Sequence, residues 1–515
     1  MVAHFHFRNP AQSLSFKETQ ASTIHDRSAG DLARAIREGE TTARAALEHF
    51  IARHDALNAP LNAVVVQDFE RAREAADAVD AAVAAGEPLG PLAGVPMTVK
   101  DTFEAEGLAT VVGEPRLANY VAPHDAVAVA RLKAAGAIVF GKTNTPRLAQ
   151  DVQTYNAIYG TTNNPWDTSR TSGGSSGGAA AAVAAGITPI ELGSDLAGSI
   201  RTPSAWCGIY GHKPSYGLVP MRGHIPGPPG TRAEPDLCVA GPLSRHPGDL
   251  SLMLDTLAGP SAIEASAWHV ALPASPATEL ADFRVASYFS DDFAPTAQSV
   301  GAAIQAMRSA LTDHGAAATA VAELPGGFAD SYDLYDRLLN ALVGAGLPDK
   351  LYTKARRGAT LMGLLKRTER GTLGGFATRA TDTHRDWAQR NEARQALRET
   401  WQAFFADHDV LLMPVVGVPA IEHQHKGSLF DRKIAIDGED VAYTQLFRWI
   451  APATVAGLPA TSAPVGLTDD GLPVGLQIVG DYGHDLTTIA FAQHLAAAGV
   501  EAPACPFAGS DIEAG

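Results

Sequence analysis

The stretch TSGGSSGGAAAAVAAGITPIELGSDLAGSIRTPS, residues 171–204, decides how the rest of the chain is read. Two glycine and serine clusters, at 173–178 and 193–199, flank an alanine run and an apolar segment containing Ile187, Ile190 and Leu192. Glycine admits positive φ and the close approach of other groups, so two such clusters point to main-chain N–H groups aimed at a reacting atom. GGSSGG has the composition of a flexible linker. A linker is not expected to run at once into a strong helix former such as residues 179–185, so the stretch reads as a site.

Upstream, residues 92–99 are short apolar runs broken by Gly94 and Pro96, a strand signal that delivers Lys100 at its end. A lysine there is by default a surface residue. Residues 126–135 read as a helix and 137–140 as a strand, together a parallel α/β unit. The polar segment 159–167, with turns marked by Asn163, Asn164 and Pro165, leads into the central stretch. Nearer the start, Ser28 is a good N-cap for a helix carrying Leu32 and Ile36, a second helix after Thr41 carries Leu47, Phe50 and Ile51, and residues 70–85 form a third. Residues 1–27 read as an arm over the body or over a partner chain.

Downstream, residues 218–235 are a loop rich in Pro and Gly, and 241–257 read as a turn and then a helix with Leu250, Leu252 and Met253. Residues 283–289 are a strand, and 297–314 a helix with Val300, Ile304, Met307 and Leu311 on one face. Residues 325–400 look mostly helical, with a basic run of Lys350, Lys354, Arg356, Arg357, Lys366, Arg367 and Arg370 that reads as a solvated face, the alternative being a pocket cover or a contact for an anionic group. Strands follow at 410–415, 460–465 and 474–479, and a helix at 485–498 closes the chain.

The blocks GVPMTVKDTF (94–103), GAIVFGKTNTP (136–146), YGTTNNPWD (159–167), GGSSGG, GSDLAGSIRTPSAWCGIYGHKPSYG (193–217) and AGPLSR (240–245) occur in this order, followed by VLLMPV (410–415) and VAGLPATSAPVGLTDDGLPVGLQIVG (455–480). With these blocks the chain resembles the amidase signature family of serine hydrolases. The resemblance implies an α/β amidase signature fold, in which a central, twisted, mostly parallel mixed sheet is surrounded by helices. It also implies one domain over 1–515, with an N-terminal helical layer (28–90), a signature core (91–260) and a variable helical region (325–400) where substrate choice resides.

By the same resemblance Ser199 is the nucleophile, Ser175 the bridging serine behind a cis peptide to Gly174, and Lys100 the general base. An amide carbonyl is a poor electrophile, so its hydrolysis needs an activated nucleophile, an oxyanion site and a proton for the leaving amine. Lysine is a base only when neutral, and burial is what lowers its pKa from about 10.4. The backbone N–H groups of Leu196, Ala197, Gly198 and Ser199 would meet the oxyanion, and Asp195 and Arg201 would pair to hold that loop. Two departures stand out: Arg147 replaces a usually acidic residue and is expected to affect how Thr143 and Asn144 are held, and Ala197 replaces a common glycine, its methyl narrowing the site.

The implied activity is hydrolysis of a carboxylic amide C–N bond through a serine acyl-enzyme, with aryl amides, esters and carbamates (urethanes) as further substrates. The alternative is the glutamine-hydrolysing subunit of an amidotransferase, which shares the triad and passes ammonia to a partner. A noncatalytic family member is disfavoured by the intact Lys100, Ser175 and Ser199. Residues 173–177 also satisfy GxSxG, which in a nucleophile elbow would make Ser175 the nucleophile, but NNPWDTSRTS before it is not a strand.

Composition narrows the partners. With 40 basic and 56 acidic residues the net charge is -16, which disfavours nucleic-acid binding. No run approaches the roughly 20 apolar residues of a membrane span, no secretory signal is evident, and Cys207, Cys238 and Cys505 read as reduced thiols in the cytoplasm. His423 and His425 beside Glu422 lack the further ligands of a metal site, and no phosphate loop is present. The expected ligand is a small amide with no cofactor or metal, and a homodimer is left open.

Overall fold

Ser28 accepts a hydrogen bond from the Asp31 amide and so starts the helix Ala29–Arg37, whose Leu32 and Ile36 are buried one turn apart. Thr42 caps the helix Ala43–Leu61 in the same way, and Leu47, Phe50 and Ile51 face inward. A third helix, Phe69–Ala85, completes this layer. The computed structural model describes residues 24–225, 229–365 and 369–509, so the arm expected at 1–27 lies almost wholly outside the described residues.

These helices cover one end of a mixed sheet. Among the described residues eleven strands form it: β1 (Val64–Gln67), β2 (Pro96–Lys100), β3 (Ile138–Thr143), β4 (Ile190–Asp195), β5 (Tyr210–Lys213), β6 (Val239–Ser244), β7 (Val285–Ser287), β8 (Ala318–Ala320), β9 (Val410–Pro414), β10 (Ala460–Leu467) and β11 (Pro473–Val479). Their order across the sheet is β1-β3-β2-β4-β6-β5-β10-β11-β9-β7-β8. β2 runs parallel to both β3 and β4, and β7 runs parallel to β8 and β9. The strands between these two blocks pair antiparallel. Every residue of β2, β4, β6 and β11 is buried.

Two strands depart from the sequence reading. Residues 241–244, expected to be a turn, belong to β6, in which Gly241 pairs with Gly193 and Pro242 with Leu192. Gly and Pro there suggest a turn, yet a Cβ on Gly241 would sit 2.1 Å from the His212 carbonyl oxygen, so close packing between strands demands the glycine. The helix then runs over Pro247–Leu257. β5 lies hidden inside GIYGHKPS, where glycine and proline again mask it.

The alanine run is a helix, Gly177–Ala184, buried on every side. The 325–400 region is helical as expected, with Phe328–Ala345, Asp349–Leu364, Leu373–Arg379 and His384–Phe405. Lys350, Lys354, Arg356, Arg357 and Arg370 are exposed; Lys366 and Arg367 lie outside the described residues. Among the described residues no helix is long and apolar enough to cross a membrane.

Candidate active site

β2 and β4 lie side by side and parallel, with Thr98 opposite Glu191 and Val99 opposite Leu192, so both chains leave the sheet at the same edge. In sheets of this kind ligands gather beyond the carboxyl ends of the strands. Lys100 ends β2 and Asp195 ends β4. The strand end is anchored by the next residue, Asp101, which forms a fully buried ion pair with Lys142 at 2.9 Å and accepts from the amide of Val112 at 2.7 Å.

Lys100 Nζ lies 2.7 Å from Ser175 Oγ and 3.0 Å from Ser194 Oγ. Complete burial strips its water and pulls its ammonium down to about 7, against the opposing pull of Cys238, Asp195 and Glu191. Burial thus favours the uncharged amine. Burial likewise pushes the Glu191 carboxyl up to about 8, although Thr98 and Thr143 both donate to it.

Ser175 sits in the loop before the helix Gly177–Ala184, and the Gly174–Ser175 peptide is cis. Thr145 Oγ1 donates to the Ser175 carbonyl at 2.9 Å, and the Ser176 amide donates to the Ser199 carbonyl at 3.1 Å, which ties this loop to the one after β4. No strand precedes Ser175, as a nucleophile elbow would require.

The loop after β4 is built around one carboxylate. Asp195 accepts from the amides of Gly198 at 2.9 Å and Ile200 at 3.1 Å, and Arg201 Nη2 donates to it at 2.8 Å with both side chains fully buried. Burial alone would raise the Asp195 carboxyl, but the charge and hydrogen bonds of Arg201 prevail and hold it at about 2. Arg201 in turn reaches Gln477 Oε1 at 2.6 Å and Thr454 Oγ1 at 2.7 Å. Gly198 takes φ of 86°, a conformation that suits glycine, and a Cβ there would meet Thr202 Oγ1. Because the Gly198 N–H is directed to Asp195, three of the four amides expected for the oxyanion remain: Leu196, Ala197 and Ser199.

Ser199 and Ala197 open onto a cavity of about 350 Å³ together with Gly174 and Leu196. Its far wall is apolar, with Tyr332, Leu339, Val343 and Phe376 from the helical region and Phe430 and Phe447 from beyond it. The sequence locates the first group only as a region and does not mark the second. Tyr335 joins wall to floor, its hydroxyl donating to the Leu196 carbonyl at 3.3 Å. Polar groups on the wall come in pairs: Arg379 with Asp336 at 2.7 Å, and Asp151 with Arg432 at 2.6 Å.

Arg147 does not act on Thr143 or Asn144. Its guanidinium turns to Glu114 at 2.8 Å, while Thr143 donates to Glu191 at 3.0 Å and Asn144 to Thr162 at 3.0 Å. His425 stacks on Tyr155 with ring centroids 4.0 Å apart. Cys207, Cys238 and Cys505 are buried free thiols. Sequence reading misses Ser194 and His224, which meet at the lysine; Ser194 is within the marked GSDLAGS, whereas nothing local singles out a histidine in a loop.

Sheet and site together define an α/β enzyme of the C–N hydrolase type. The family model described as Amidase matches residues 45–489, and the chain belongs to that family, with its amidase signature fold. Among curated relatives, a glutamyl-tRNA(Gln) amidotransferase subunit from Deinococcus radiodurans is 34% identical over 490 residues, covering 92% of this chain and 97% of that one. Its counterpart of the same description from Prochlorococcus marinus is 31% identical over 462 residues, covering 86% and 91%. Among solved structures, a bacterial aryl acylamidase of the amidase signature family superposes with a TM-score of 0.77 at 27% identity, covering 95% of this chain and all (100%) of that one.

Proposed function

We propose that this protein hydrolyses a carboxylic amide through an acyl-enzyme on Ser199. The observation that carries the reading is a fully buried lysine, drawn to about 7, at 2.7 Å from Ser175 beside a cavity floored by Ser199. Ser199 Oγ attacks the carbonyl carbon while its proton passes to Ser175 and the Ser175 proton to Lys100. The oxyanion is met by the N–H groups of Leu196, Ala197 and Ser199, each such donor being worth about 3 kcal/mol of barrier. The lysine proton returns by the same route to the leaving amine, and water, deprotonated along the same chain, releases the acid.

The apolar wall supports an apolar or aryl acyl group, with esters and carbamates of similar shape as further substrates. A second reading, the glutamine-hydrolysing subunit of an amidotransferase, shares this chemistry. It is favoured by the curated relatives, which are amidotransferase subunits at 34% and 31% identity. The two readings part on the acyl group: glutamine brings a charged amino and a charged carboxylate, and the wall offers the Arg379–Asp336 pair for them.

Turnover of the isolated chain on an anilide series and on L-glutamine, under one set of conditions, separates them. Hydrolysis of anilides well above glutamine is expected. Glutaminase activity alone, rising with a copurifying partner, would replace the first reading with the second.

A further inference from the structure

Neutral lysine has one lone pair and two N–H bonds, so its power as a base depends on where the lone pair points. Around Lys100 Nζ stand Ser175 Oγ at 2.7 Å, Ser194 Oγ at 3.0 Å and the Ser194 carbonyl oxygen at 3.5 Å. The carbonyl can only accept, which uses one N–H. The second N–H and the lone pair are then divided between two hydroxyls, each of which can donate or accept. Ser175 can give up its proton only if the lone pair faces it, and that requires Ser194 Oγ to accept from the lysine.

Ser194 Oγ has one proton, and its other partner is His224 Nε2 at 2.9 Å. If Nε2 is the unprotonated ring nitrogen, the Ser194 proton goes to it, Ser194 Oγ accepts from Lys100, and the lone pair is free for Ser175. If Nε2 carries the proton, the histidine donates to Ser194, the Ser194 proton is sent into the lysine lone pair, and the base is blocked. From this geometry, and resting on the acyl-enzyme reading above, we infer that His224 is a positioning residue: as the Nδ1–H tautomer it draws the Ser194 proton and thereby aims the lone pair of Lys100 at Ser175.

On the other side of the ring Nδ1 has no hydrogen-bond partner among the described residues, so only the Ser194 contact distinguishes the two tautomers. The ring is held edge-on to Phe103 with centroids 4.9 Å apart, and the backbones of the two residues form a β-bridge beside the end of β2. Burial, with Lys100 beside it, draws the imidazole down to about 3, so it remains neutral where the lysine works. The protonated lysine is served as well, since its three N–H bonds then match the three oxygens around it. The loop that carries His224 thus reaches Lys100 through one hydroxyl.

Two measurements test this. Histidine-selective ¹⁵N spectra of the full chain, with the His224 signal assigned by its loss in His224→Gln, should show Nδ1 protonated and Nε2 not; the opposite tautomer overturns the inference. The rate at which a fluorophosphonate phosphonylates Ser199, with loss of fluoride, should fall about 10-fold in His224→Leu and in Ser194→Ala, with the half-saturating concentration unchanged. The double variant should be no slower than the slower single one, and His224→Gln, whose side-chain oxygen can accept from Ser194, should recover most of the rate. A wild-type rate in His224→Leu, or losses that multiply in the double variant, overturns the inference while a Ser199 adduct leaves the acyl-enzyme reading standing. A wild-type adduct on any other serine overturns both.

Discussion

The floor and the far wall of the cavity are built on different principles. The floor is strand ends and two glycine-rich loops, where buried polar side chains hold one another: Asp195 with Arg201, Asp101 with Lys142, Lys100 with Ser175 and Ser194. The wall is mostly helical and apolar toward the cavity at Tyr332, Leu339 and Phe376, and the neighbouring helix Asp349–Leu364 carries the exposed Lys350, Lys354, Arg356 and Arg357. A buried polar network admits few substitutions because each group left alone loses its compensation. A side-chain wall can change size and shape at the cost of transfer energy alone. On the proposed reading, reaction type and substrate choice are therefore separable, the first belonging to the sheet edge and the second to the helices.

That separation can be broken at several points. Removing the proposed nucleophile in Ser199→Ala should cost on the order of a million-fold in kcat, and removing the proposed base in Lys100→Ala about 100- to 10,000-fold, both read by turnover of a common substrate. Arg201→Met should lower stability by about 3–5 kcal/mol in denaturant unfolding, because it leaves the Asp195 carboxylate buried and unpaired. The wall should behave otherwise. Phe376→Ala should raise KM about 10-fold for a bulky substrate with kcat within about 3-fold, the signature of lost uniform binding. Smallest of all, Lys354→Ala on the solvent face should change stability by no more than about 0.5 kcal/mol.

The pH behaviour sharpens the same contrast. The proposed base Lys100 can take a proton only when deprotonated, so kcat/KM should rise as pH increases through about 7. The linkage for Asp195 has the other sense. Its folded carboxyl is held at about 2, below the usual carboxylate value, so the stability it contributes is present above that usual value and is lost as pH falls toward and through 2. Activity should therefore fall well before the loop comes apart, a separation that circular dichroism and turnover measured on the same samples will read.

Much of the floor is legible in the sequence because its local requirements are severe. A loop that presents main-chain amides needs its glycines, and a strand that carries a buried lysine to the sheet edge needs the apolar run before it. β6 and β5 escape the sequence for the opposite reason. In AGPLS Gly241 answers to close packing against the neighbouring strand, and in GIYGHK Gly211 answers to close packing against Ser204 and Ile200, tertiary demands that look locally like a turn. His224 cannot be found from local pattern, since Ser194 lies 30 positions away in the chain and only the folded sheet edge brings them together. Tyr332, Leu339 and Phe376 of the 325–400 region line the cavity, while Phe430 and Phe447 come from a segment with no periodicity to mark them.

The most direct test of the account is the site and pH dependence of covalent labelling. The chain is incubated with a serine-directed fluorophosphonate from mildly acidic to mildly alkaline pH, and the adduct is mapped by peptide mass. The account predicts one adduct, on Ser199, forming at a rate that rises through pH of about 7 and is lost in Lys100→Ala. An adduct on Ser175, or labelling of Ser199 that survives unchanged in Lys100→Ala, would contradict it.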